Sequence, residues 1–536
     1  VARVGGKGSN VRFFNTAGPV HSADHYCIPP LSRLNLEDIL GLIAQKKYFV
    51  FHAPRQAGKT SYLLALMDYI NQHGQYRCVY VNVEVAQTAR DDVARGMQAI
   101  LGELSTMARD YLHDDFLETI WPSVLEQRGG DAALGEVLTR WSQSSALPLV
   151  LFIDEIDALV GDTLIAVLRQ LRAGYPKRPQ RFPQSVILCG VRDVRDYRIH
   201  TSHTQDPITG GSAFNIKAET FRIEDFSAAD IGALYQQHSA ETGQDFAPGV
   251  VELVWELTQG QPWLVNALGY EVCFRMPAGR NRTQPITVAL LEEAKERLIL
   301  RRETHLDQLA DKLQEERVRA VLEPILTGEI PPGQVSENDL HYVADLGLIT
   351  THGQLRIANP IYREVIPRAL TYTTQLMISH DTVWYLRQAD RQLDMPQLLA
   401  AFQQFFREQA ESWVERFHYK EAGPQLLLQA FLQRIVNGGG RVEREYGLGR
   451  RRTDLLILWP YNGGIQRVVI ETKLRRGDLA NLIQQGVAQT WGYMDRCGAS
   501  EGHLMLFDRR PEISWEDKLF HCEESYQDKT IHVWGV

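Results

Sequence analysis

The stretch KKYFVFHAPRQAGKTSYLLALMDYI, residues 46–70, decides the fold of the first half of the chain. YFVFH is an apolar run of strand length, and TSYLLALMDYI has helical periodicity. Between them lies Ala53-Pro54-Arg55-Gln56-Ala57-Gly58-Lys59-Thr60. This is the spacing of a phosphate-binding loop, G-x-x-x-x-G-K-[ST], with Ala53 in place of the first glycine. Gly58 lets backbone wrap closely around a phosphate, and Lys59 neutralises β- and γ-phosphate oxygens. The Thr60 hydroxyl suits Mg2+, and the helix start adds its dipole. The candidate nucleotide contacts are Ala53, Gln56, Ala57, Gly58, Lys59, Thr60 and Ser61.

LVLFIDEIDAL (149–159) is a second apolar strand, ending in Asp154-Glu155. Asp154 is placed to orient the Mg2+ shell and Glu155 to polarise an attacking water. RCVYVNVE alternates like a strand, and SVILCGV reads as a strand buried on both faces, followed by the γ-phosphate sensor candidates Arg192 and Asp193. Helical stretches such as DDVARGMQAILGELSTMA separate the strands, so a doubly wound parallel sheet is expected. Arg172, Arg195 and Arg198 are all open as arginine fingers.

Past Phe226 the pattern becomes helical, broken at Gly260 and Pro262. VRAVLEPILTG, SENDLHYVADLGLIT and GQLRIANPIYREVI then read helix, helix, short strand pair, the order of a winged helix. Residues 394–416 are helical and aromatic. The aromatic stretch Trp384 to Phe406 reads as helix packing rather than a base-stacking platform.

The chain has 536 residues, 44% hydrophobic and 23% charged, a globular composition of three or four domains by length. Its net charge of -9 means that nucleic acid would need a local basic patch. Six cysteines without C-x-x-C spacing suit a reducing compartment. No signal-peptide core and no run of 18 apolar residues is visible, so a cytoplasmic location without membrane contact is expected.

The last 120 or so residues carry a second constellation. PQLLLQAFLQRIV is an amphipathic helix. TDLLILWP and QRVVIETKL flank the turn YNGG, and a helix and the strand GHLMLFD follow. Asp454 opens one strand and Glu471-Thr472-Lys473 closes its neighbour. Asp454, Glu471 and the Thr472 carbonyl form a hard-oxygen set for Mg2+ or Mn2+. Lys473, two residues from Glu471, lies on the same strand face and can orient or activate a water that attacks a phosphodiester. Arg441 to Arg476 holds nine Arg/Lys against four acids. Arg450, Arg451 and Arg452 precede Asp454, and Arg475 and Arg476 follow Lys473, where phosphate contacts are natural.

Two resemblances follow from these motifs. The loop, Asp154-Glu155, Gly260-Gln261-Pro262 and the helix–helix–strand pair resemble STAND-type and archaeal-type AAA-like P-loop ATPases over residues 11–370. That resemblance implies ATP as ligand and a nucleotide-driven switch between resting and active or oligomeric forms. D…E-T-K, with Gln489 and Tyr493 one turn apart, resembles the RecB-like branch of the PD-(D/E)XK nucleases over residues 417–536. That one implies a Mg2+-dependent nuclease in which Gln489 and Tyr493 support the substrate strand. It departs from the pattern in its first helix, where Gln425 stands at the position expected for an acid and Glu421 lies one turn earlier.

The expected fold is α/β and multidomain. It comprises an N-terminal arm (1–32), a P-loop ASCE-type parallel-sheet core (33–225), a helical lid (226–305) and a winged helix (306–375). A helical linker (376–416) and a restriction-endonuclease-like α/β domain (417–536) follow. The expected function is an ATP-regulated, metal-dependent nuclease with DNA favoured over RNA, a possible homo-oligomer, with a role in defence against foreign DNA implied by the resemblance. The alternatives are a regulatory ATPase whose nuclease-like domain only binds nucleic acid, and a DNA-remodelling ATPase. His200 and His203 have i, i+3 spacing but no third ligand of Cys or acid type, and His21, His25 and Cys27, scattered in a loop, read as structural or surface residues. Tyr26, Pro29 and Pro30 are open between packing on adenine and plain packing.

Overall fold

The computed structural model describes residues 11–192, 198–199, 208–209, 214–301, 304–327, 335–351, 355–370, 385–414, 423–436, 440–448, 451–475, 477–508, 510 and 512–536. The chain divides into two compact units. The first is residues 1–301 with 340–351, and the second is 302–339 with 352–536.

The first unit is built on a five-stranded, wholly parallel sheet. Its order is Arg77–Asn82, Leu149–Asp154, Ser185–Gly190, Tyr48–His52, Lys217–Arg222. The strand feeding the phosphate loop and the strand ending in Asp154 are therefore not neighbours; Ser185–Gly190 lies between them. Side-chain alternation splits the apolar residues between two cores. Val50, Val81, Leu151, Ile153 and Leu188 face the helices Val93–Leu112, Gly130–Ser144 and Gly161–Gly174. Phe49, Phe51, Tyr80, Phe152 and Ile187 face the helices Leu36–Ala44 and Lys59–His73. A strand buried on both sides cannot alternate polar and apolar residues, which is why these strands read as continuous apolar runs. Lys217–Arg222 at the sheet edge is half-exposed and carries KAETFR, so it shows no such run.

Residues 11–30 are tied to the rest of the first unit. Phe13–Phe14 pairs in parallel with His25–Tyr26. Phe14 and Tyr26 are buried, and the Trp263 indole donates to the Thr16 carbonyl at 2.9 Å. Tyr26 packs on Phe14 and His238, with its hydroxyl 3.3 Å from His238 Nδ1, so its role is packing. His25 sits edge-on to Phe13. The helical segment consists of Ala228–Thr242, Val250–Thr258, Pro262–Tyr270 and Val288–Arg301, with a π-turn at Glu271–Arg275. For residues 306–375 the described elements are helices Thr304–Lys312, Glu316–Thr327 and Glu337–Asp345, strands Ile349–Thr350 and Arg356–Ile357, and helix Pro360–Leu370.

The second unit holds a six-stranded mixed sheet. Its order is Arg441–Leu448, Arg451–Tyr461, Gly464–Leu474, Glu501–Phe507, Lys529–Gly535, Phe520–Tyr526. The first three strands are antiparallel, and Gly464–Leu474, Glu501–Phe507 and Lys529–Gly535 run parallel. Helix Gly423–Val436 precedes the sheet, and helix Leu479–Cys497 is the crossover between its two parallel central strands. The stretch expected as a helical linker, 376–416, holds helix Met395–Val414. Phe402 and Phe406 of helix Met395–Val414 pack on Phe507, and Gln403 donates to the carbonyls of Phe520 and Gly535. An aromatic face of this size is a core component, because a solvated linker could not cover it. No described helix is long and apolar enough to cross a membrane.

Candidate functional site

The phosphate loop joins the buried strand Tyr48–His52 to helix Lys59–His73. Its backbone turns twice through the left-handed region, at Gln56 (φ 57°) and Gly58 (φ 88°). Ala53 is fully buried and is not among the residues with positive φ, so a methyl group replaces the usual glycine without strain. Gly58 has no such freedom, because a Cβ there would lie 2.9 Å from the Arg33 guanidinium.

Lys59 is buried, and its Nζ donates to the Ala53 carbonyl at 3.0 Å and the Pro54 carbonyl at 3.1 Å. The ammonium thus ties the head of the loop to its tail and holds a positive charge inside the ring of amides. Ser61 lies in the first turn of helix Lys59–His73. Its Oγ accepts the Val20 amide at 3.0 Å and anchors the N-terminal arm.

Asp154 ends strand Leu149–Asp154, second in the sheet order, and is fully buried. Its Oδ2 accepts from Thr60 Oγ1 at 2.8 Å and from the Tyr80 hydroxyl at 3.0 Å, while Oδ1 accepts the Glu155 amide at 2.9 Å. A hydroxyl and a carboxylate converge with oxygen donors only, which fits Mg2+. Tyr80 was not legible as a site residue. It looks like any aromatic in RCVYVNVE, and only the adjacency of two parallel strands delivers it to Asp154.

Glu155 sits in the left-handed region (φ 55°), which turns it out of the strand direction. Burial raises its carboxyl above the ordinary 4.5, and the neighbouring Lys59 opposes that shift. Asp157 accepts the Val191 amide at 3.1 Å and pins the end of the adjacent strand. Of the sensor candidates, Arg192 lies over the Tyr342 ring at 4.9 Å, and Asp193 falls outside the described residues. Arg172 lies on helix Gly161–Gly174. Arg195, His200, His203 and the side chain of Arg198 are likewise outside the described residues.

In the second unit, Glu471 is buried and its Oε1 accepts from Lys473 Nζ at 2.8 Å. Leu455 pairs with Ile470, so the next step along both strands is Asp454 and Glu471. The Asp454 side chain lies outside what is described, as do Glu421, Arg450, Arg476 and the side chains of Arg451 and Arg452. Among the described residues no group of three or more His, Cys, Asp or Glu is placed to hold a metal. Gln489 donates to the Tyr493 hydroxyl at 2.8 Å, one helical turn on. Asp508, at the end of the next strand, accepts from Arg510 at 2.7 Å and Arg475 at 3.0 Å. Arg510 above all holds its carboxyl at about 2. Sequence reading missed this acid, because nothing local marks it as the hub of two arginines.

A family model described as an AAA-like domain matches residues 41–366. No curated protein matches the chain. Among solved structures, a Walker-type ATPase of Pyrococcus abyssi is similar at 15% identity and TM-score 0.44, over 66% of this chain and 99% of that one. The Aeropyrum pernix ORC2 protein, solved as ADPNP and ADP complexes, is similar at 14% identity and TM-score 0.38, over 65% and 96%. The Thermotoga maritima RuvB Holliday junction branch migration motor is similar at 12% identity and TM-score 0.30, over 62% and 95%.

Proposed function

This chain belongs to the AAA-like domain family, its P-loop unit is an ATPase, and on that premise we propose that ATP turnover governs a metal-dependent nuclease in the C-terminal sheet. In the ATPase unit, Lys59 and the loop amides receive the phosphates. Thr60 and Asp154 would hold Mg2+, which when bound screens the phosphate oxygens. Tyr80 keeps the Asp154 carboxylate aimed at that position. Glu155, turned out of its strand, orients the attacking water and receives its proton.

The observation that carries the nuclease reading is the Lys473–Glu471 pair, 2.8 Å apart at the end of a central strand, with Asp454 at the adjoining register position. Asp454, Glu471 and the Thr472 carbonyl would hold the metal. Lys473, hydrogen-bonded to Glu471, would orient water and offset charge at the scissile phosphate. Gln489, hydrogen-bonded to Tyr493, steadies the substrate strand beside it. Arg475 supplies phosphate contacts. The substrate class is DNA in preference to RNA.

The test is incubation of single- and double-stranded DNA and RNA with Mg2+ or Mn2+, with and without ATP, beside Asp454→Ala and Lys473→Met. Cleavage by the wild type that both variants lose supports the reading. No cleavage in any nucleotide state sinks it. Gln425, an amide where an acid is expected, supports a second reading in which the domain binds nucleic acid without cutting it. That reading gains if wild type and both variants shift the same DNA on a gel and none cleaves it.

A further inference from the structure

The phosphate loop is braced from outside by a residue that no loop motif contains. Arg33 closes the short turn Pro30–Arg33, and the next helix, Leu36–Ala44, is capped by Asn35 at its Glu37 amide. This rigid corner delivers the guanidinium to three places. Nη1 donates to the Ala57 carbonyl, Nη2 donates to the Glu224 carbonyl, and the plane lies over the Phe226 ring at 5.0 Å.

The first contact has a consequence for phosphate binding. In a trans peptide the C=O and the following N–H point in opposite directions. With the Ala57 carbonyl turned outward to Arg33, the Gly58 N–H must point inward, where the phosphates bind. A flipped Ala57–Gly58 peptide would aim a carbonyl at the phosphates instead, and glycine at 58 makes such a flip sterically open. The guanidinium removes that freedom. The second and third contacts lead to the start of the helical segment. The Phe226 amide donates to the Gly260 carbonyl at 2.8 Å, and a Cβ on Gly260 would strike the Phe226 carbonyl at 2.0 Å. Gly260 is followed directly by Gln261, which caps helix Pro262–Tyr270 through the Leu264 amide at 2.6 Å. Burial lowers the Arg33 guanidinium to about 10, opposed by Asp225, Asp230 and Glu224, so it stays charged at neutral pH.

We infer that Arg33 is a positioning residue for nucleotide. It sets the Ala57–Gly58 peptide with its N–H toward the phosphates and ties that peptide to the root of the helical segment. A planar fork is required, because one group must serve two carbonyls and a ring at once.

The test is calorimetric binding of ATP, ADP and adenosine, with ATP turnover, to the full chain carrying Arg33→Met or Arg33→Lys. A charged hydrogen bond of this kind corresponds to about 10- to 100-fold in affinity. Arg33→Met should weaken ATP and ADP by that factor and leave adenosine within about twofold, because only the phosphates use the Gly58 amide. Arg33→Lys should recover only part of the loss, since a point donor reaches one carbonyl. Amide exchange at Phe226 should quicken in both variants. Unchanged ATP affinity in Arg33→Met overturns the inference. A parallel loss of ATP, ADP and adenosine, with a lowered melting temperature in both variants, also overturns it and makes Arg33 a fold residue only.

Discussion

Removing the Tyr80 hydroxyl isolates one spoke of the Asp154 site. Asp154 is fully buried, and its Oδ2 accepts from two hydroxyls, Thr60 at 2.8 Å and Tyr80 at 3.0 Å. Tyr80→Phe keeps the ring in its core and deletes one donor to a buried carboxylate. Such a bond contributes about 1.5–3 kcal/mol. For a domain of this size, 1 kcal/mol moves the midpoint by about 2–4 °C, so a fall of about 3–12 °C is expected in nucleotide-free protein. Tyr62 is the matched control. Its ring is fully buried on the same side of the sheet, and its hydroxyl has no hydrogen-bond partner among the described residues. Tyr62→Phe removes an unsatisfied polar atom and should leave the melting temperature unchanged or raise it. Differential scanning fluorimetry of both variants, followed by ATP turnover, measures this. An unchanged midpoint for Tyr80→Phe, or a fall for Tyr62→Phe as large as for Tyr80→Phe, would refute the assignment of Tyr80 to the carboxylate.

Lys59→Ala leaves the Ala53 and Pro54 carbonyls without their donor and takes the charge from the loop, so calorimetry should show ATP binding lost by at least about 100-fold. Glu155→Gln should keep ATP binding and lower turnover by about 10²- to 10⁴-fold, read by phosphate release at saturating ATP. Because burial raises the Glu155 carboxyl, its proton is held to higher pH than in an ordinary glutamate. Turnover should therefore fall, as pH drops, through a midpoint above 4.5, and a midpoint at or below 4.5 counts against Glu155 as the base. Asp508 has the opposite sign. Its folded value of about 2 lies below the ordinary 3.8, so it stabilises the C-terminal sheet above pH 3.8 and loses that contribution as pH falls toward 2. Arg510→Ala should shrink the difference in melting temperature between pH 5 and pH 3.

The parallel core was legible because its strands are buried on both faces, and burial leaves only apolar residues to choose from. KYFVFH, LVLFID and SVILCG needed no context. The edge strand Lys217–Arg222 was not legible, because none of its residues is buried and it carries no apolar run. The C-terminal strand pair Phe520–Tyr526 and Lys529–Gly535 escaped for the same reason on its outer strand. The helix Met395–Val414 was recognised as a helix but assigned to a linker. Periodicity shows that a helix has an apolar face and is silent on what covers it.

Within the candidate sites the division is similar. Lys59, Thr60 and Gly58 are neighbours in the chain, and a strand-to-helix turn brings them round one point whatever the rest of the protein does. Glu471 and Lys473 share a strand face by the two-residue repeat, and Gln489 meets Tyr493 by the helical one. These are short-range consequences of backbone geometry, so sequence alone determines them. Tyr80 against Asp154, Arg33 against Ala57, and Arg475 with Arg510 on Asp508 join residues whose meeting depends on strand order and on where turns return the chain. Strand order is settled by how whole layers bury their apolar faces against one another. That is a property of the assembled fold, carried by no local stretch of residues.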